Sequence, residues 1–225
     1  MKAKRWLQLI VVLVLMVSCT KKAEDFNSKF ELFKKYILNF SSGLVSAKSD
    51  IRVVLAFENQ NWKTNQELDE DLFTISPSVD GKVVALSNNT IAFIPEKKLK
   101  QNTEYQITFH LSELKDTPKE LDDFNFTIKT KKQDFTINPT DLQSYSKEYQ
   151  YLNGTIVCSD DVDLDNISKV IKAKQKDSDL KVKVLKSSKA TNIFNFVIDS
   201  IQRKVEDEVI EITWDGNDQG IDQKG

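Results

Sequence analysis

Apolar and polar positions alternate with a period of two through most of this chain from about residue 44 onward. Ile51-Arg52-Val53-Val54-Leu55-Ala56-Phe57 is rich in branched side chains, which suit a pleated, well-buried surface, and predicts a strand. Lys82-Val83-Val84-Ala85-Leu86 and Thr90-Ile91-Ala92-Phe93-Ile94 flank Ser87-Asn88-Asn89. Asparagine tolerates positive φ, so this pattern predicts a β-hairpin. Pro95 ends its second strand, because proline has no N–H to give to a ladder. Tyr105, Ile107, Phe109 and Leu111 alternate with Gln106, Thr108 and His110; Phe124, Phe126 and Ile128 alternate with Asn125, Thr127 and Lys129. Short strands separated by turn signals predict an antiparallel sandwich ending near Thr130.

Lys131-Lys132-Gln133 reads as a linker into a second β unit. Residues 149–158 predict a strand interrupted at Asn153-Gly154 by a bulge or turn. Asp163 or Asp165 is placed to cap a helix over residues 166–174, with Ile167, Val170 and Ile171 on one face. Residues 180–185, 194–198 and 209–214 are three more strand candidates. Before the first sandwich, Phe26, Phe30, Phe33, Ile37 and Phe40 recur at helical spacing, while residues 36–40 read equally well as a first strand. The expected fold class is therefore all-β: two successive antiparallel β-sandwich domains, immunoglobulin-like or macroglobulin-like, with a short helix in the second.

The front of the chain breaks this pattern. Lys2, Lys4 and Arg5 precede an uncharged apolar run from Leu7 to Val17, and Ser18-Cys19 follows. A basic start, a short apolar middle and a small residue before a cut form a secretory signal. The run is about eleven residues, short of the ~20 that span a bilayer as a helix. Leu15-Met16-Val17-Ser18-Cys19 reads as a lipobox, with Met16 where leucine is usual. Cys19 would then carry the lipid, and several acyl chains make a lasting anchor. The expected organisation is a signal peptide over 1–18, a lipidated tether and entry segment over 19–43, an immunoglobulin-like sandwich over 44–131, a second macroglobulin-like domain over 132–215, and a truncated linker over 216–225. The polar string Asp215-Gly216-Asn217-Asp218-Gln219-Gly220 reads as a connection into a further strand.

Charge and composition narrow the chemistry. The formal net charge is −2, and loss of the leader makes the remainder about three units more negative. No electrostatic case exists for nucleic acid, which calls for a basic face. With Cys19 lipidated, Cys158 is the remaining thiol, and in Thr155-Ile156-Val157-Cys158 it reads as a small buried core residue. The sole histidine, His110, sits at an outward strand position and reads as a solvated surface residue. The sequence has no CxxC, no HExxH and no glycine-rich phosphate loop. Asp161, Asp163 and Asp165 imitate the start of a calcium loop, but Asn166 stands where glycine is required and Lys172 where a bidentate Glu is required. Asp215, Asn217 and Gln219 fit such a loop better, with its twelfth position beyond Gly225. No catalytic residue, metal ligand or cofactor is expected, and the chain is not expected to be an enzyme. Trp62, Trp214 and the strand aromatics could stack sugars on an exposed face; core packing is their commoner fate.

Two sets of residues carry a resemblance. Pro95, Leu99, Lys100, Thr103 and Tyr105 form a proline followed by a strand entry of the kind found in bacterial immunoglobulin-like domains. Gln133-Asp134-Phe135-Thr136, Asp141-Leu142-Gln143-Ser144-Tyr145-Ser146, Tyr151-Leu152-Asn153-Gly154, Ser200-Ile201-Gln202-Arg203 and Trp214-Asp215-Gly216 resemble the amino-terminal region of alpha-2-macroglobulin family lipoproteins of Bacteroidetes-type bacteria. The resemblance implies a long protein of serial β-sandwich domains that traps endopeptidases after cleavage of a bait region. Many such proteins hold a thioester made by the Cys and Gln of a Cys-x-Glu-Gln run. Cys158 is followed by Ser159-Asp160-Asp161 and does not match that run; Cys19 alone carries over, as lipid attachment.

The expected function is thus an amino-terminal scaffold of a membrane-anchored protease inhibitor in the cell envelope, at the outer membrane and facing periplasm or exterior. Its partners would be the membrane, through Cys19, and proteases, through domains downstream of this piece. The alternative is a stand-alone surface lipoprotein whose two immunoglobulin-like domains bind glycan or protein. A small hydrolase or metal enzyme is disfavoured by the residue inventory.

Overall fold

A computed structural model describes residues 30–68 and 71–217. The chain is all-β and antiparallel, and it divides into two compact units. Unit 1 comprises residues up to Gly43, Asp50–Lys97 and Tyr105–Ile128; unit 2 takes Leu44–Ser49, Lys98–Glu104 and everything from Lys129. Lys131–Gln133, read from sequence as a linker, lies within unit 2, and Gln133 is buried there.

Fifteen strands are described. In chain order they begin β1 (Ile37–Phe40), β2 (Gly43–Val45), β3 (Ile51–Leu55), β4 (Gln66–Leu68), β5 (Phe73–Ser76), β6 (Gly81–Ala85), β7 (Thr90–Pro95), β8 (Glu104–His110) and β9 (Asp123–Thr130). They form a five-stranded sheet, β1-β3-β7-β6-β4, and a four-stranded sheet, β2-β9-β8-β5. Strand alternation decides which side chains meet. On β8 Tyr105, Ile107 and Phe109 are buried, and on β9 Phe124, Phe126 and Ile128, as period-two pleating requires. The inner faces meet through aromatic rings. Phe73 lies 6.2 Å from Phe93, and Phe40 lies 4.9 Å from Phe124, edge-on. Such tilted pairs add to the energy of burial alone.

The front of unit 1 takes the strand reading for Ile37–Phe40 and keeps the helical one only briefly, with Phe26 outside the described residues. Residues 30–33 make one helical turn, and β1 follows as a strand. The 82–94 hairpin forms as expected, but its turn does not use positive φ at asparagine. Asn89 works through its side chain instead. Its Oδ1 accepts from the Ser87 and Thr90 hydroxyls, and its Nδ2 donates to the Leu55 carbonyl.

Unit 2 holds β10 (Phe135–Ser144), β11 (Tyr149–Cys158), β12 (Ile171–Gln175), β13 (Ser178–Lys186), β14 (Ile193–Gln202) and β15 (Ile210–Trp214), in the order β10-β11-β14-β13-β12-β15. β13 makes the corner. Its first residues, Ser178 to Leu180, pair with β12, while Lys181 to Lys186 pair with β14. Changing partners along one strand lets the two ends of the sheet close over a shared core, which includes Phe135, Ile156, Ile171, Phe194, Phe196 and Ile198.

Two expectations are corrected here. The helix expected over 166–174 is a single turn, Leu164–Ile167; residues 168–170 make a turn and β12 begins at Ile171. Ile171, Ala173 and Gln175 are buried and alternate with exposed Lys172 and Lys174; the adjacent pair Val170-Ile171 imitates helical spacing and hides this period. Of the bulge or turn expected at Asn153-Gly154, the turn is absent, since β11 runs through it, whereas the β10–β11 register does slip opposite Asn153, between Pro139 and Leu142. Gly154 is there for close approach. A Cβ at that position would collide with the Phe196 ring and lie 2.8 Å from the Asn138 carbonyl oxygen.

Candidate functional site

The outer face of the β10–β11 end of unit 2 carries three tyrosines. Leu152, Gly154, Ile156 and Cys158 turn inward along β11, so Tyr149 and Tyr151 project outward. Tyr145 joins them from the β10–β11 turn, where its backbone N–H donates to the Tyr149 carbonyl. The Tyr145 and Tyr149 rings are nearly parallel, 9° apart in plane with centroids 6.4 Å apart; Tyr151 lies 5.9 Å from Tyr145 at 34°. Tyr145 is 54% exposed and Tyr149 41%, far above what a core tyrosine shows.

Polar groups hold these rings. The Tyr151 hydroxyl donates to Gln143 Oε1. Tyr145 faces Asp199 and Ser200 of β14. Local desolvation first, and Asp199 second, lift the Tyr145 phenol above its ordinary range, while the Ser200 contact pulls the other way. Ser200 has φ 62°, and the β11–β14 register slips between Gln150 and Leu152.

The same segment borders an open cavity of about 470 Å³. Ser200, Gln202, Lys176, Lys181, Lys204 and Glu208 contribute to its wall. Gln175 anchors the wall, donating to the Gln202 carbonyl at 2.8 Å and to Glu208 Oε2 while accepting from the Gln202 N–H at 2.9 Å. Lys176 Nζ lies 2.8 Å from Glu208 Oε1. That contact pulls the Glu208 carboxyl below its ordinary pKa and raises the Lys176 ammonium above its own. The wall is thus satisfied internally.

The residues singled out from sequence separate widely. Cys19 lies outside the described residues. Cys158 is buried in β11, and burial pushes its thiol up to about 11. At neutral pH it is a protonated, inert core group. Asp163, part of the calcium-like string, is engaged by cations of the protein itself, with Lys98 Nζ at 2.5 Å and Lys48 Nζ at 3.2 Å. Lys98 first and Lys48 second hold its carboxyl below the ordinary range. Asp161 accepts from the Thr191 hydroxyl at 2.5 Å. Asp215 Oδ1 accepts from the Asn217 N–H, and the rest of that string lies outside the described residues. Among the described residues, no three His, Cys, Asp or Glu side chains stand where they could hold a metal ion. Trp62 is half-buried in unit 1, and Trp214 packs against the core of unit 2. The aromatic face is made by tyrosines, not by the tryptophans.

His110 is more engaged than its outward position suggested. Its Nδ1 lies 2.7 Å from Asp123 Oδ1 and its Nε2 lies 2.9 Å from Thr74 Oγ1. This hydroxyl–imidazole–carboxylate row crosses β5, β8 and β9. The neighbouring Thr108 hydroxyl donates to Asn125 Oδ1 at 2.7 Å and continues the row. Its chemistry is that of cross-strand pairing on the outer face of a sheet. Sequence could not reveal it, because strand register is what brings Thr74 and Asp123 to His110.

No protein-family model matches the chain, and no curated protein matches it. Among solved structures, it is similar to L,D-transpeptidase 3 from Mycobacterium tuberculosis in complex with a faropenem-derived adduct, with TM-score 0.31 and 10% identity over 54% of this chain and 46% of that one. A second structure of L,D-transpeptidase 3 from Mycobacterium tuberculosis gives TM-score 0.30 and 11% identity over 52% and 43%. The chain therefore spans less than half the length of these neighbours. Likeness at this level carries no argument about activity.

Proposed function

We propose that this chain is the amino-terminal scaffold of a membrane-anchored, alpha-2-macroglobulin-like endopeptidase inhibitor, lipidated at Cys19 and held in the cell envelope, at the outer membrane. The observation that supports this reading best is the pair of antiparallel β units, each closed over its own apolar core, the second built mainly from residues after Lys129 with two short segments taken from earlier in the chain. A protein built as a string of β domains needs units of this kind to space its working parts. Cys158 fits the same role, because a thiol pushed to about 11 by burial fills the core and does not react. In this proposal bait and thioester belong to later domains, and this piece traps nothing alone. Among the described residues no helix is long and apolar enough to cross a membrane. The anchor in this reading is acyl chain, not polypeptide.

Incubation of the full chain with a broad-specificity endopeptidase, followed by size-exclusion chromatography, tests the assignment of roles. The protease is expected to elute at its own volume with full activity. Co-elution of active protease enclosed with the chain would place the trap here and overturn the scaffold reading.

A further inference from the structure

We propose that β15 is a self-pairing edge, through which two copies of this chain join as a dimer, β15 running antiparallel to β15 about a two-fold axis at Ile212. The backbone of β15 is arranged for it. The Asp215 N–H donates to the Val170 carbonyl, and Ile171 stands opposite Trp214. Bonding along an antiparallel pair alternates, so Glu211 and Thr213 bond to β12, while the N–H and C=O groups of Ile210, Ile212 and Trp214 point to the open side. β15 is the last strand of its sheet, and these groups have no partner among the described residues. The side chains of Ile210, Ile212 and Trp214 are half-buried against the core of unit 2, which is left part-covered along this edge.

The occupant follows from the other edges and from the sequence of β15 itself. Exposed edges are usually blunted against pairing, and the others here are. β10 carries Pro139 with a register slip beside it. β1 slips between Ile37 and Asn39, and the Asn39 Oδ1 takes up the Phe40 N–H at 2.8 Å. β2 and β4 are three residues each, and β5 stops before Pro77 after four. β15 has five residues in unbroken register with β12 and no proline, lysine or arginine. Among the described edges it alone is open, so its match on a second copy is β15 again, and such a two-fold contact closes at the dimer. Ile210-Glu211-Ile212-Thr213-Trp214 is self-complementary in that register. On the inner side Trp214 meets Ile210 of the second copy, an aromatic against a β-branched side chain. On the outer side Glu211 meets neutral Thr213 of the second copy, and Lys174 beside Glu211 on β12 offsets its charge, so no like charges stand directly opposite. The contact is small, and the dimer is correspondingly weak. This proposal is independent of the protease-inhibitor reading, since it concerns a strand edge of unit 2 whatever later domains do.

Sedimentation equilibrium tests it, on the full chain in a detergent matched to the solvent density, between about 1 and 300 µM. A reversible monomer–dimer equilibrium is expected in that range. Thr213→Glu sets a carboxylate opposite Glu211 of the second copy at both symmetric positions and is expected to weaken the dimer about tenfold. Thr213→Lys sets opposite charges there and is expected to tighten it by about as much. Thr213 is exposed, so both variants should keep the parent's melting temperature at the lowest concentration, where the chain is monomeric. If Thr213→Glu does not fold, the tightening by Thr213→Lys decides alone. A monomer throughout, assembly that grows beyond a dimer, or a dimer indifferent to both substitutions overturns the proposal; association through acyl chains would give the last of these results.

Discussion

Two single residues show how tightly unit 2 is specified. Gly154 reads in the sequence as a bulge or turn, and within the continuous strand β11 a glycine is needed there because the Phe196 ring occupies the space of a side chain. Gly154→Ala therefore forces either the ring or the Asn138 backbone to move. The expected cost is about 1–3 kcal/mol, seen as a lowered denaturant midpoint with an unchanged slope. Cys158 makes the second case. Its thiol is raised from 9.0 to about 11, so at any pH below 9 it holds about a hundredfold less thiolate than an unfolded thiol. Alkylation by iodoacetamide at pH 8 should be at least that much slower in the native protein than in guanidinium. The sign for stability follows: between about 9 and 11 the folded state binds the extra proton, so this contribution is lost as pH rises through that window. Native labelling as fast as unfolded labelling would show an open thiol.

At the scale of elements, Asp163 ties separate pieces of unit 2 together. It precedes the single-turn helix, and its carboxylate spends itself not on a capping bond but on Lys48 and Lys98, from the two short segments that unit 2 takes from earlier in the chain. Its folded pKa lies below the ordinary value, so the contribution is complete above the ordinary carboxylate range and is lost as pH falls through the folded pKa. Asp163→Asn should lower stability near pH 7 and flatten the acid limb of the stability curve below pH 4, with small magnitude because the lysines are substantially solvated. A parallel shift of the curve at every pH would show that the pair does not titrate with folding. Strands with clean alternation, such as β8 and β9, were legible from sequence, because one face is buried and the other wet. β12 was not, since Val170-Ile171 supplies a false helical step, and β10 gives little signal because seven of its ten residues form an exposed run after Ile137. The tyrosine face escaped for a related reason. Tyr145, Tyr149 and Tyr151 were visible as residues, but which side of the sheet they take depends on the inward commitment of Leu152 and Ile156.

At the scale of the whole molecule, the proposed role makes the two β units spacers behind a lipid anchor. Their cores are filled by aromatic and branched side chains, and His110, Asp163 and Glu208 are spent on cross-strand and loop contacts. An immunoblot of bacterial membrane fractions tests this most directly, using an antibody raised against residues 132–215 together with palmitate labelling. The account predicts an acylated, membrane-bound species far larger than 25.8 kDa, with the label lost in Cys19→Ala. An unacylated species, or one running at about the mass of this chain, would contradict it.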